Sequence, residues 1–226
     1  MSRRLDDLHL TLAGLVALLA WDLSGLDLTV MRMLGNTRGF PWRDHWLVTD
    51  VLHGGGRAVG WLLMALLAVN VVRPLWSGPD RTERWRWLGV TTLCLLAVPA
   101  LKQISRTSCP WDLAEFGGWA AYVSHWTLGV GDGGPGRCFP SGHATAAFAF
   151  VSGWFALREH QVRAARAWLL GALLLGLLFG AGQTLRGAHY PSHSLWTAWL
   201  CWICCAVLMP RRQRLAVPPL PHPADG

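Results

Sequence analysis

The sequence predicts an all-α, polytopic membrane protein: a bundle of six transmembrane helices with its chemistry gathered at their outer ends. Three observations predict this. The 226 residues are 52% hydrophobic and only 15% charged, with a mean hydropathy of +0.30, too apolar for an ordinary soluble domain. The apolar residues fall in blocks that approach the ~20 residues a bilayer-spanning helix needs. Arginines crowd alternate connections between those blocks, the charge asymmetry of a chain threaded through a membrane.

The blocks are residues 12–31, 59–75, 87–101, 144–157, 167–182 and 195–209. Several are short for a span, so their ends are expected to extend into interfacial sequence. Asp22 and Asp27 interrupt the first block; Asp27 reads as a side chain reaching for the interface, while Asp22 lies deeper and the sequence supplies no partner for it. Arg3 and Arg4 precede the first block, and Arg73, Arg81, Arg84 and Arg86 follow the second. Arg158, Arg163 and Arg166 follow the fourth, and Arg211, Arg212 and Arg214 follow the sixth. The positive-inside rule makes that side, and both termini, cytoplasmic. The other side then carries residues 32–58, 102–143 and 183–194. Residues 1–215 read as one membrane domain and the Pro-rich 216–226 as a disordered tail. The start lacks a clear cleavage site, so the first block reads as a retained span. A formal charge of +7 and a pI near 9.7 could suit nucleic acid, but placing the arginines at span ends makes the excess a topology signal. No nucleic-acid partner is expected. Trp42, Trp46, Trp76, Trp85, Trp87 and Trp111 flank the blocks, where indoles favour the headgroup layer.

The outer segments carry the polar clusters. Pro140-Ser141-Gly142-His143, after Arg137 and Cys138, opens the fourth block with residues that start helices. Unpaired N–H groups and the positive end of the helix dipole would converge there, beside a hydroxyl and an imidazole that can hold a phosphate-like group and move a proton. The same four residues also suit a capped membrane helix with a stray histidine. Lys102, the chain's only lysine, and Arg106 lie four apart, on one face if the helix continues past Pro99. They suit either headgroup anchoring or a cationic site. His189 and His193 are also four apart, but no third ligand and no His-Glu-x-x-His pattern accompanies them, so no metal is expected. Cys94, Cys201, Cys204 and Cys205 lie in apolar blocks and read as packing residues. Cys109 and Cys138 share one outer loop, where a disulfide is expected to stabilise by roughly 3–4 kcal/mol and to tether the Lys102 segment to the Pro-Ser-Gly-His turn. Residues 35–57 suit a short interfacial helix, and Gly54-Gly55-Gly56 is a joint, since no lysine follows at phosphate-loop spacing.

Taken together, these residues resemble the type-2 phosphatidic acid phosphatase superfamily of membrane lipid phosphatases. Its three blocks are Lys-x6-Arg-Pro, Pro-Ser-Gly-His and Ser-Arg-x5-His-x3-Asp. Here they correspond to Lys102-x6-Cys109-Pro110, to Pro140-Ser141-Gly142-His143, and to the segment from Gln183 to His189-x3-His193. The middle block is intact. Cys109 stands in place of the first-block arginine, Gln183 in place of the third-block arginine, and His193 in place of the aspartate.

The resemblance implies a lipid phosphatase that cleaves a phosphomonoester or diphosphate headgroup through a phosphohistidine, with no metal or cofactor. It makes His189 the nucleophile and His143 the general acid, then the base for water. His193 would orient His189 by accepting its Nδ1–H, as the aspartate would. Lys102, Ser141 and Gly142 would bind phosphate, Arg106 and Arg186 would replace the lost guanidiniums, and Arg137, Asp112 and Gln183 would support them. The implied partners are the bilayer and a membrane lipid phosphate, and the implied home is a bacterial inner membrane with the site facing the periplasm. Two other functions fit the same residues: a lipid phosphotransferase of the superfamily, and an inactive scaffold that binds lipid phosphates. A transporter is disfavoured, because the polar residues sit at span ends and not at mid-membrane.

Overall fold

The computed structural model describes residues 2–127 and 129–210. It is all-α, with no strand among the described residues. In chain order the helices are α1 (Ser2–Leu23), α2 (Leu26–Leu34), α3 (Leu47–Val72), α4 (Arg81–Ile104), α5 (Thr145–Leu157), α6 (Val162–Leu185) and α7 (Pro191–Leu208). Local chemistry sets several boundaries. Asp80 and Glu83 form a reciprocal capping box that starts α4, each side chain accepting the other's backbone N–H at 2.8 Å. Pro191 occupies the first turn of α7, where its missing N–H costs nothing. Helix α4 does continue through Pro99, to Ile104. Helix α3 opens with a wide π-helical stretch, Leu47–Gly55, so it starts well before the apolar block expected from sequence.

Among the described residues, α3, α4 and α6 are long and apolar enough to cross a membrane. Helices α1 and α2 form a pair bent by 62° that adds a fourth if the two count as one span. The six spans expected from sequence are therefore not reached by length and composition alone. The shortest block shows why. Helix α5 is only about 20 Å long at 1.5 Å per residue, against a hydrocarbon core of ~30 Å. It is apolar all round because other helices surround it. Ala147, Phe148, Ala149, Phe150 and Val151 are all buried, and α5 packs against α3, α4, α6 and α7. A Cβ at Gly176 of α6 would collide with the Phe148 ring, so that close approach requires glycine. Thr91 of α4 and Ser152 of α5 share a hydroxyl–hydroxyl bond of 2.7 Å, and Trp87 Nε1 donates to the same serine at 3.2 Å.

Polar contacts gather the arginine-rich connections. Arg158 pairs with Asp7 at 2.8 Å and donates to the Met209 carbonyl oxygen at 3.4 Å. His160 lies 3.3 Å from Glu83, and the Gln161 amide donates to Ser77 at 2.6 Å. The start of α1, the α3–α4 and α5–α6 connections and the end of α7 thus meet at one end of the bundle.

At the α1–α2 bend the two aspartates are occupied. Asp27 is buried, accepting from Trp21 Nε1 at 2.8 Å, from Ser192 N at 3.0 Å and from Ser192 Oγ. It does not reach for the interface; it holds the first turn of α7. Asp22 accepts from Trp126 Nε1 at 2.9 Å and Trp196 Nε1 at 2.8 Å, and lies 3.3 Å from His125 Nε2.

Candidate active site

Backbone pairing brings three distant segments together. The strand-like run before α5 lies along the end of α4, with Arg137 N donating to Ser105 O at 2.8 Å and Cys138 N to Thr107 O at 2.9 Å. A disulfide between Cys109 and Cys138 closes the same loop, as expected from sequence. The α6–α7 connection joins through Ser141 N to His193 O at 3.1 Å and Trp111 N to Gly187 O at 2.9 Å. Lys102 crosses the Pro-Ser-Gly-His turn, its Cδ at 3.8 Å from where a Cβ on Gly142 would lie.

His143 sits in the turn just ahead of α5, its carbonyl accepting from Ala146 N at 3.1 Å. Its Nε2 donates to the Leu52 carbonyl oxygen at 3.2 Å, because a carbonyl only accepts. The bare nitrogen of the neutral ring is then Nδ1. The His53 ring stacks on His143 with centroids 4.4 Å apart. Burial first, then the neighbouring His53, with Arg186 and Arg57 adding, push the His143 pKa down to about 4, against the opposing bond to Leu52. His189 is buried, its Nδ1 3.5 Å from Cys138 Sγ. Burial, then the Lys102 charge and His143, lower its pKa to about 3, with Cys138 opposing. Both imidazoles are therefore neutral near pH 7, and Lys102 and His143 both lie within electrostatic reach of His189.

The other expected residues divide. His193 is fully buried and its Nδ1 donates to the Cys138 carbonyl oxygen at 3.0 Å, while its Nε2 has no hydrogen-bond partner among the described residues. The bond expected from His189 to His193 is absent, the rings being 5.8 Å apart, because the Cys138 backbone and sulfur occupy both Nδ1 atoms. Ser141 Oγ and Gln183 Nε2 are buried without hydrogen-bond partners among the described residues. Arg186 donates to the Arg43 carbonyl oxygen at 3.0 Å, and its charge is felt at His143. Arg106 is not brought to the histidines: its guanidinium donates to Gly129 O at 2.8 Å and borders an apolar cavity. Asp112 accepts from Cys109 N at 3.3 Å, capping a short 3₁₀ turn, and Arg137 is exposed with φ 56°.

His53 and Arg57 were missed as site residues. They are four apart at the outer end of the second block, the same signal that drew attention to Lys102 and Arg106. Among the described residues, one group has ligand atoms close enough to share a metal ion: Cys109, Cys138 and His189. Its two sulfurs are joined to each other, so neither is a thiolate.

The fold and this cluster define a class: an α-helical protein with membrane-length apolar helices and two neutral imidazoles beside a lysine. The model of the PAP2 superfamily matches residues 84–216, more than half of the chain, and the protein belongs to that superfamily. No curated protein and no solved structure matches the chain. The matched region holds Lys102, His143, His189 and His193, whereas Asp22, Asp27, His53 and Arg57 precede it.

Proposed function

We propose that the protein is a membrane lipid phosphatase acting on a phosphomonoester or diphosphate headgroup through a phosphohistidine. Superfamily membership supports phosphatase or phosphotransferase chemistry. The observation that carries the finer reading is that Lys102 and His143, from segments far apart in the chain, both act electrostatically on the buried His189. In this reading an unprotonated ring nitrogen of His189 attacks phosphorus and the bond to the leaving oxygen breaks. His143, protonated on Nδ1 once the anionic headgroup binds and keeping Nε2–H on the Leu52 carbonyl oxygen, gives that oxygen the Nδ1 proton. It then takes a proton from water, whose oxygen displaces His189 as the P–N bond breaks. Lys102, Arg57 and Arg186 supply the positive charge that the altered Cys109 and Gln183 positions lack, so no step needs a metal. Ser141 Oγ, Gln183 Nε2 and the backbone of Gly142 offer further donors to the phosphoryl oxygens. His193 fixes the Cys138 backbone beside His189. A bacterial inner membrane, with cytoplasmic termini and a periplasmic site, suits the arginine distribution.

The test is phosphate release from a lipid phosphate by detergent-purified protein, with His189→Ala and His143→Ala as controls. Phosphate release abolished by both, with acid-labile phosphoprotein trapped in parent but not in His189→Ala, is the expected result. Label passing to a second lipid in place of water would identify the phosphotransferase. Binding without turnover would identify the scaffold.

A further inference from the structure

A cavity of about 370 Å³ lies beside the Pro-Ser-Gly-His turn, with Pro140 in its wall. Leu101 and Ile104 of α4, the residues flanking Lys102 and its successor, form one side; Trp126 and Trp196 form another. Phe139 lines the cavity, stacks on His125 at 4.2 Å and meets the His193 ring at 5.2 Å. Arg106 is the cation on its border. The aromatic wall is held unusually firmly. Both indole N–H groups donate to a single oxygen, Asp22 Oδ2, whose side chain is 3% exposed, and the two rings meet edge to face at 5.3 Å. A buried carboxylate is costly to place, and here it orients two tryptophans from different parts of the chain into one apolar face.

We propose that this groove takes the hydrocarbon chain of the phosphorylated substrate, so that Trp126, Trp196 and their Asp22 clamp set chain selectivity. The inference rests on the phosphatase reading and deepens it. Continuity carries it. Pro140 in its wall adjoins Ser141 of the proposed phosphate site and Leu101 adjoins Lys102, so one molecule can place a phosphoryl group at Lys102 and its chain against the indoles. The size suits a ligand pocket, and the lining suits an apolar chain.

The experiment measures kcat/KM for hexadecyl phosphate and for butyl phosphate with full-length protein in mixed micelles, and equilibrium binding of hexadecyl phosphate. Parent, Trp126→Ala and Ile104→Trp are compared; both substituted positions are exposed, and the second substitution fills the groove. The long-chain to short-chain ratio is expected to fall about tenfold in each variant, the equivalent of ~1.4 kcal/mol. A ratio and a binding constant that stay within about twofold of parent in both variants would overturn the groove, leaving the phosphatase reading intact and the cavity filled by bulk bilayer lipid. If the parent hydrolyses neither compound yet binds hexadecyl phosphate in a Trp126-dependent way, the groove stands and the hydrolase reading falls.

Discussion

Anion binding should draw a proton into the site. His143 has its pKa held down to about 4, and His189 to about 3, so both rings are neutral at pH 6. A tetrahedral dianion between them reverses the local field. One net negative charge at ~4 Å, in an effective dielectric near 20, favours an imidazolium by ~4 kcal/mol. At 1.36 kcal/mol per unit this is about three pKa units, enough to carry His143 from about 4 to roughly 7. Sulfate is the probe, because it stays a dianion across this range and any proton must come to the protein. At about pH 5.5 sulfate binding should take up close to one proton, and affinity should tighten as pH falls from 7 toward 4, since the bound state holds more protons than the free one. Calorimetric titrations in buffers of different ionisation enthalpy read the proton count from the slope of apparent enthalpy. His143→Gln should abolish that slope. Sulfate binding with zero slope in the parent would refute the reasoning, and a slope that survives His143→Gln would move the acid role to His189.

Four further outcomes follow from named contacts. His53→Gln removes the largest influence after burial that holds the His143 pKa down, so the His143 titration followed by ring-proton NMR should move upward. Asp27→Ala leaves Trp21 Nε1 and both donors of Ser192 without their acceptor, and should lower stability by about 3–5 kcal/mol in a thermal melt while loosening the start of α7. The double substitution Cys109→Ser, Cys138→Ser should cost about 3 kcal/mol and detach the Lys102 segment from the turn, read as a lower Tm without added reductant. Gly187→Ala should be among the most damaging small changes: Gly187 has φ +73°, and a Cβ there would strike the Phe40 ring two residues before His189, so both Tm and phosphate release should fall.

Much of the candidate site was legible in the chain. Lys102, Ser141, Gly142, His143 and His189 lie in blocks whose spacing is local, and the disulfide followed from two cysteines sharing one loop. The cations that stand near His143 were not legible. Spacing along α4 suggested Arg106, but the backbone turns after Ile104 and gives its guanidinium to Gly129. Arg57 and His53 arrive instead from the start of α3, ahead of the matched region. Asp27 was read as an interfacial side chain because its neighbours in sequence are apolar; its partner, Ser192, is 165 residues away.

By itself the sequence determined the helical class, the apolar spans that suit a bilayer, and the polar clusters proposed to hold and attack a phosphoryl centre, because those depend on composition and on spacings of a few residues. Only the tertiary structure decided which cations stand near those imidazoles, that both rings are neutral, that α5 is enclosed, and that Asp22 ties two tryptophans into one wall. Burial, field and long-range hydrogen bonding are properties of what surrounds a side chain. The surroundings here come from residues more than a hundred positions apart.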